Sequence, residues 1–75
     1  MIETKKNDDI VSLGFDFIEA QEHSNYVRYI YKNKNLEIIE YFFEHSHVID
    51  VKINDLLLTN LTVKEIDQLN KIVNK

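Results

Sequence analysis

Hydrophobic residues near the start of the chain are spaced as in a short helix. Asn7 is of a residue type that caps helices, and the two aspartates that follow it place negative charge where the helix dipole favours it. One apolar side is then formed by Ile10, Val11 and Leu13. Gly14, the single glycine of the chain, stands where a left-handed helix end requires it. The pattern predicts a helix over residues 8–13.

From Phe15 onward the apolar residues recur at every second position, which is typical of strands with one buried face. The first strand contains Phe15 and Phe17 and ends before the polar segment 21–25. Three further strands place apolar side chains on one face: Val27, Tyr29 and Tyr31 in the second, Leu36, Ile38 and Phe42 in the third, and His47, Ile49, Val51 and Ile53 in the fourth. Only Glu40 interrupts the apolar face of the third strand.

The connection between the second and third strands determines how they pair. The segment 33–35 is Asn-Lys-Asn, and asparagine tolerates the positive φ that tight hairpins require. A one-residue slip would turn every side chain to the opposite face, so only an even loop brings the two apolar faces together. A two-residue loop meets this condition and predicts Lys32 opposite Glu37.

A second tight turn at Asn54-Asp55 leads into a short fifth strand over 56–59. This turn predicts two apolar cross-strand pairs, Ile53 with Leu56 and Val51 with Leu58.

The C-terminal helix has two start signals. Thr62 and Glu65 have the spacing of a capping box, and Leu61 and Ile66 that of a hydrophobic staple. Apolar residues then follow at helical spacing: Val63, Ile66, Leu69, Ile72 and Val73. We therefore predict an α+β fold with a short N-terminal helix, an antiparallel meander of four to five strands, and a C-terminal helix packed on one sheet face. Residues 1–75 are expected to form a single domain with residues 1–6 frayed.

The predicted outer face of the sheet is more apolar than a solvated face requires. It carries five large side chains: Tyr26, Ile30, Ile39, Tyr41 and Phe43. The surrounding residues are charged, namely Arg28, Lys32 and Glu37. Such clusters typically mark interfaces. Three occupants remain open: the N-terminal segment with Ile2, a second copy of the chain, or a protein partner.

The composition of the chain argues against several classes of function. With 13 acidic and 9 basic residues the 75-residue chain carries a net charge of −4, which argues against general nucleic-acid binding. Acidic, basic and acidic segments succeed one another over 15–24, 26–34 and 36–50, as expected for charge pairing between adjacent strands. The absence of cysteine excludes disulfides and fits a cytoplasmic location. No apolar stretch approaches about 18 residues, so no membrane insertion is expected.

Few residues of the sequence have the spacing that catalytic or metal-binding sites require. His45 and His47 lie two apart, but zinc requires a third ligand, which only His23 offers. The serines lie in no nucleophile motif, and one glycine excludes a glycine-rich phosphate loop. We predict no catalytic residue, no metal, no cofactor and no enzymatic activity. Aromatic and basic residues alternate over 26–34, which keeps single-stranded nucleic-acid binding as a third, weaker interpretation.

The order of elements resembles small proteins of phages and prophages, in the Leu13-Gly14-Phe15 segment, the tyrosine-rich meander and the 61–65 segment Leu-Thr-Val-Lys-Glu. In size and acidity the chain is similar to anti-CRISPR proteins. That resemblance implies a non-catalytic inhibitor that binds a CRISPR effector nuclease and blocks guide or target binding. Under this hypothesis Ile39, Tyr41 and Phe43 anchor the contact, and Glu37, Glu40 and Glu44 supply charge complementarity. The predicted partner-binding residues also include Tyr26, Arg28 and Ile30 of the second strand. The competing interpretation is a small homodimeric structural or accessory protein that uses the same apolar face.

Overall fold

A computed structural model describes residues 7–74 and contains a five-stranded antiparallel sheet with two helices. The elements follow in the order α1 (Asp8–Ser12), β1 (Asp16–Glu22), β2 (Tyr26–Asn33), β3 (Leu36–Phe43), β4 (His47–Ile53), β5 (Leu56–Leu58) and α2 (Val63–Val73). Neighbouring strands in the chain are neighbours in the sheet, so the sheet is a simple meander. The predicted α+β architecture is confirmed. The predictions made for residues 1–6, including the covering role of Ile2, lie outside the described residues.

The hairpin registers follow the predicted pairing. Lys32 lies opposite Glu37, and the β4–β5 turn sets Ile53 opposite Leu56 and Val51 opposite Leu58. The residue with positive φ in the first hairpin is Lys34 (φ 53°), so the expectation that an asparagine would take this conformation is wrong there. Asn33 is instead the last residue of β2, where it pairs with Leu36.

The first strand is longer and less regular than its alternation predicts. It begins at Asp16, after the fully buried Phe15, and continues through Glu22 into the segment predicted to be a turn. The register with β2 shifts between Phe17 and Glu19, so an extra residue is inserted there. That residue, Ile18, is 54% exposed at the edge of the sheet.

Both helices have the predicted caps. The Asn7 side chain accepts a hydrogen bond from the backbone of Asp9, and Gly14 ends α1 with φ 100°. In α2, Thr62 and Glu65 form the reciprocal capping box. Ile72 is 72% exposed, so its predicted place in the apolar stripe of α2 is wrong.

The core lies between the helices and one face of the sheet, which we call the inner face. Among residues 7–74, ten hydrophobic residues are buried there: Ile10, Phe15, Val27, Tyr29, Tyr31, Leu36, Ile38, Ile49, Val51 and Ile66. Leu69 and Val73 of α2 pack against this cluster. Within residues 7–74, neither helix is long and apolar enough to cross a membrane.

The helices leave one end of the inner face uncovered. Phe42 lies on that face, yet 36% of its surface is exposed, and His47 beside it is also exposed. The turns between β1 and β2 and between β3 and β4 lie at this same end, because the strands form a meander. The uncovered end of the inner face is therefore framed by two loops.

Candidate functional site

The predicted contact residues fall on two adjoining surfaces. Five lie on the face of the sheet away from the helices, which we call the outer face: Arg28, Ile30, Glu37, Ile39 and Tyr41. The other four line a groove at the uncovered end of the inner face: Tyr26, Glu40, Phe43 and Glu44. Tyr26 and Phe43 belong to both surfaces, because they are the end residues of β2 and β3.

Apolar side chains on the outer face meet across the two central strands. Ile30 lies opposite Ile39, and Tyr26 lies opposite Phe43. Three rings at the end of this face are in mutual contact: the centroid of Tyr26 is 5.7 Å from that of Tyr41 and 5.4 Å from that of Phe43, and the Tyr41 and Phe43 centroids are 6.0 Å apart. We call these five side chains, Tyr26, Ile30, Ile39, Tyr41 and Phe43, the outer-face patch. They are half-buried or exposed, so the patch is a continuous apolar surface.

Polar residues border the outer-face patch in a regular arrangement. Arg28 lies opposite Tyr41 and donates a hydrogen bond to the Gln21 side chain on β1. At the far end of the sheet, Glu37 lies between Lys32 and Lys52. Glu37 therefore lies opposite a lysine on each side, whereas Arg28 lies opposite uncharged residues on both sides, so the predicted charge pairing holds for Lys32 and not for Arg28.

Glu40 does not belong to the outer face. It is fully buried on the inner face, where its Oε1 accepts from the Tyr31 hydroxyl at 2.9 Å. Its Oε2 contacts Asn7 Nδ2 and His47 Nε2, each at 2.8 Å. The prediction that Glu40 supplies surface charge to a partner is wrong, because its even position in β3 places it beside Leu36 and Ile38 on the inner face.

Burial also alters Tyr31. Its side chain is completely inaccessible to solvent. Desolvation raises the pKa of the Tyr31 hydroxyl well above its usual range, and the hydrogen bond to Glu40 acts in the same direction, while the Asn7 backbone N–H opposes it. Tyr31 is therefore a neutral donor that compensates a buried carboxylate.

The groove has a volume of about 940 Å³ and is open to solvent. Its walls come from the loop before β2, the loop after β3 and the ends of the strands between them. Two ring pairs stack in it: His23 on Tyr26, and Phe42 on His47, each with centroids 4.6 Å apart. Sequence reasoning missed this groove, although two predicted loops at one end of a meander could have located it.

The histidines do not gather into a metal centre. His47 is bound to Glu40, whereas His45 is in the β3–β4 loop and lies 3.7 Å from the exposed Glu44 carboxylate. Among the residues that the structure describes, no group of three or more metal-ligating side chains is found.

Comparisons with known proteins give no match. No family model, no curated protein and no solved structure matches this chain. The resemblance to phage proteins, and to anti-CRISPR proteins in particular, stays a prediction.

Proposed function

We propose that this chain is a non-enzymatic protein-binding module that contacts its partner through the outer-face patch. One observation carries the proposal: five large apolar side chains form a continuous surface on β2 and β3, and both described helices pack on the opposite face. Apolar surfaces that contain tyrosine and phenylalanine are typical of protein interfaces.

The charge of the chain favours a basic partner. The net charge is −4, and Glu37 and Asp50 border the patch on β3 and β4. Complementary charge raises association rates and discriminates against acidic partners. The patch therefore supplies contact area, and the net negative charge of the chain supplies attraction to a basic partner.

A nucleic-acid-handling nuclease is the partner class that we propose. Such enzymes hold guide and target strands in channels lined by lysine and arginine, which attract an acidic protein. The chain would inhibit by covering the path of the guide or the target. This part of the proposal depends on the similarity in size and acidity to anti-CRISPR proteins.

The test compares wild type with Ile39→Asp/Tyr41→Asp, which we call the β3 variant. A matched control, Gln68→Asp/Ile72→Asp, adds the same two charges on exposed positions of α2, and we call it the α2 control. Circular dichroism and thermal unfolding establish that both variants are folded. Each protein is then tagged, used to capture partners from a bacterial lysate, and added to the captured enzyme to measure guide and target binding.

Capture and inhibition of a nucleic-acid-handling nuclease by wild type and by the α2 control, but not by the β3 variant, would support the proposal. Equal capture by all three would exclude the outer-face patch. Light scattering on the pure proteins separates the alternative: a wild-type dimer that the β3 variant dissociates would show that the patch binds a second copy.

A further inference from the structure

We infer that the groove at the end of the sheet receives an arginine side chain from a basic segment of the partner protein. This inference rests on the proposed protein-binding function and adds to it the chemistry of the partner. The groove is distinct from the outer-face patch but continuous with it, since Tyr26 and Phe43 contribute to both. A partner that covers the patch and passes the end of β2 and β3 therefore reaches the groove.

The charges of the groove favour a cation. Two of its lining residues carry carboxylates, Glu40 at the floor and Glu44 at the rim, and its described basic residues are three histidines, with no lysine or arginine among them. Glu40 is inaccessible, so it acts through its field rather than by contact. Glu44 is 87% exposed, with its Oε1 3.7 Å from His45 Nε2, so its carboxylate is accessible to an incoming guanidinium.

The rings of the groove favour arginine as that cation. The stacked pairs His23–Tyr26 and Phe42–His47 have interplanar angles of 24° and 16°. A guanidinium is planar and weakly hydrated, and it stacks on aromatic faces while its N–H groups bind carboxylates. The groove offers both kinds of contact within one concave surface.

The size of the groove matches a short peptide segment. Its volume of about 940 Å³ lies at the upper end of typical ligand pockets, and an arginine side chain fills only part of it. Ser24 and Asn25 on the rim supply polar groups for the backbone of such a segment, whereas the polar groups of Asn7 are already hydrogen-bonded within the chain.

The test is a titration of isotope-labelled protein with an acetylated, amidated peptide of alternating glycine and arginine, followed by NMR. The control peptide replaces each arginine by citrulline, which keeps the shape and removes the charge. At about pH 8, where an ordinary histidine is neutral, we expect shifts at groove residues with the arginine peptide and none with the citrulline peptide.

Two charge-matched variants test the location. Glu44→Gln should weaken binding about threefold, and Glu37→Gln, which removes the same charge from the outer face, should leave it unchanged. Phe42→Leu should also weaken it, because the stacking ring is lost while apolar volume is retained. Equal weakening by Glu44→Gln and Glu37→Gln, or shifts outside the groove, would overturn the inference in favour of general charge attraction.

Two further variants separate the two proposals. Ile39→Asp/Tyr41→Asp should still bind the peptide, because neither residue lines the groove. The chain has cations of its own close in sequence to the groove residue Asn7, and these would compete with an arginine peptide for the same carboxylates. Lys5→Gln/Lys6→Gln removes them as a control for such competition. If the arginine peptide binds neither the wild type nor this variant, the groove inference is wrong. The proposed function would still be supported after such a result if Ile39→Asp/Tyr41→Asp failed to capture the partner protein that the wild type captures.

Discussion

The Tyr31 hydroxyl donates a hydrogen bond to Glu40 across 2.9 Å, and both side chains are completely buried. The same hydroxyl accepts the backbone N–H of Asn7 at 2.9 Å, and Asn7 Nδ2 in turn donates to Glu40. A buried carboxylate is costly unless its oxygens are satisfied, and here the Tyr31 hydroxyl, Asn7 Nδ2 and His47 Nε2 contact them. The start of α1 is thus fixed to the centre of β2 and β3 by polar contacts.

Removal of the Tyr31 hydroxyl should destabilise the fold at neutral pH. In Tyr31→Phe, Glu40 and the Asn7 N–H each lose a partner, which predicts a loss of about 1–3 kcal/mol in the free energy of unfolding. Urea denaturation at pH 7 measures it. Tyr41→Phe, which removes a hydroxyl from the outer face, is the control and should change stability by less than about 0.5 kcal/mol.

The raised pKa of Tyr31 also predicts a loss of stability in alkali. An unfolded tyrosine ionises near pH 10, whereas burial keeps Tyr31 protonated above that value. The contribution of Tyr31 is therefore fully present below about pH 10, and above it decreases by at most about 1.4 kcal/mol per pH unit. Denaturation from pH 8 to pH 11 should show a smaller alkaline decrease in Tyr31→Phe than in wild type. Identical decreases would contradict the pKa shift.

Glu40→Gln should be far more damaging than the same change at Glu37. In the glutamine variant an NH₂ group faces either Asn7 Nδ2 or the Tyr31 hydroxyl, and Asn7 cannot reverse its amide without losing its cap on α1. A loss of about 1–3 kcal/mol is expected, against less than about 0.5 kcal/mol for Glu37→Gln on the outer face. Similar midpoints in urea for the two variants would show that the buried network contributes no stability.

The sheet could be predicted from the sequence because the odd or even position of a residue in its strand, which we call its parity, decides the face on which its side chain lies. Alternation assigns each strand residue to a face, and an even loop then pairs Lys32 with Glu37. Caps are equally local, since Thr62 and Glu65 are only three residues apart. The outer-face patch follows from the same parity, because it consists of the apolar residues that the inner face does not take.

Contacts between distant segments could not be predicted in this way. Glu40 is bound by Asn7 and His47, whose positions relative to it depend on how α1 and β4 pack. Parity placed Glu40 on the inner face, but its charge led to the contrary prediction of an outer contact. The groove was missed for the same reason: it exists because the two helices cover only part of the inner face.

Two turn substitutions should have opposite effects. Gly14 has φ 100°, where a side chain is strained, so Gly14→Ala should cost about 1–2 kcal/mol even though the new Cβ would make an ordinary contact with Asn33 Nδ2 at 3.6 Å. Lys34 has φ 53° and is exposed, so Lys34→Gly relieves strain and should leave stability equal or higher. Thermal unfolding compares the two. A loss in Lys34→Gly as large as that in Gly14→Ala would contradict the argument from backbone conformation.

Asn70 should be the polar residue of α2 on which its docking depends most. Its Nδ2 donates to the Leu13 carbonyl at 3.1 Å, and its Oδ1 accepts from Asn33 at 3.2 Å and from Asn74 at 2.8 Å. Asn70→Ala should therefore cost about 1–2 kcal/mol and speed amide exchange in α2. Gln68→Ala, on an exposed position of the same helix, should have little effect. If the two substitutions were equally mild, apolar packing of Ile66 and Leu69 alone would hold α2 on the sheet.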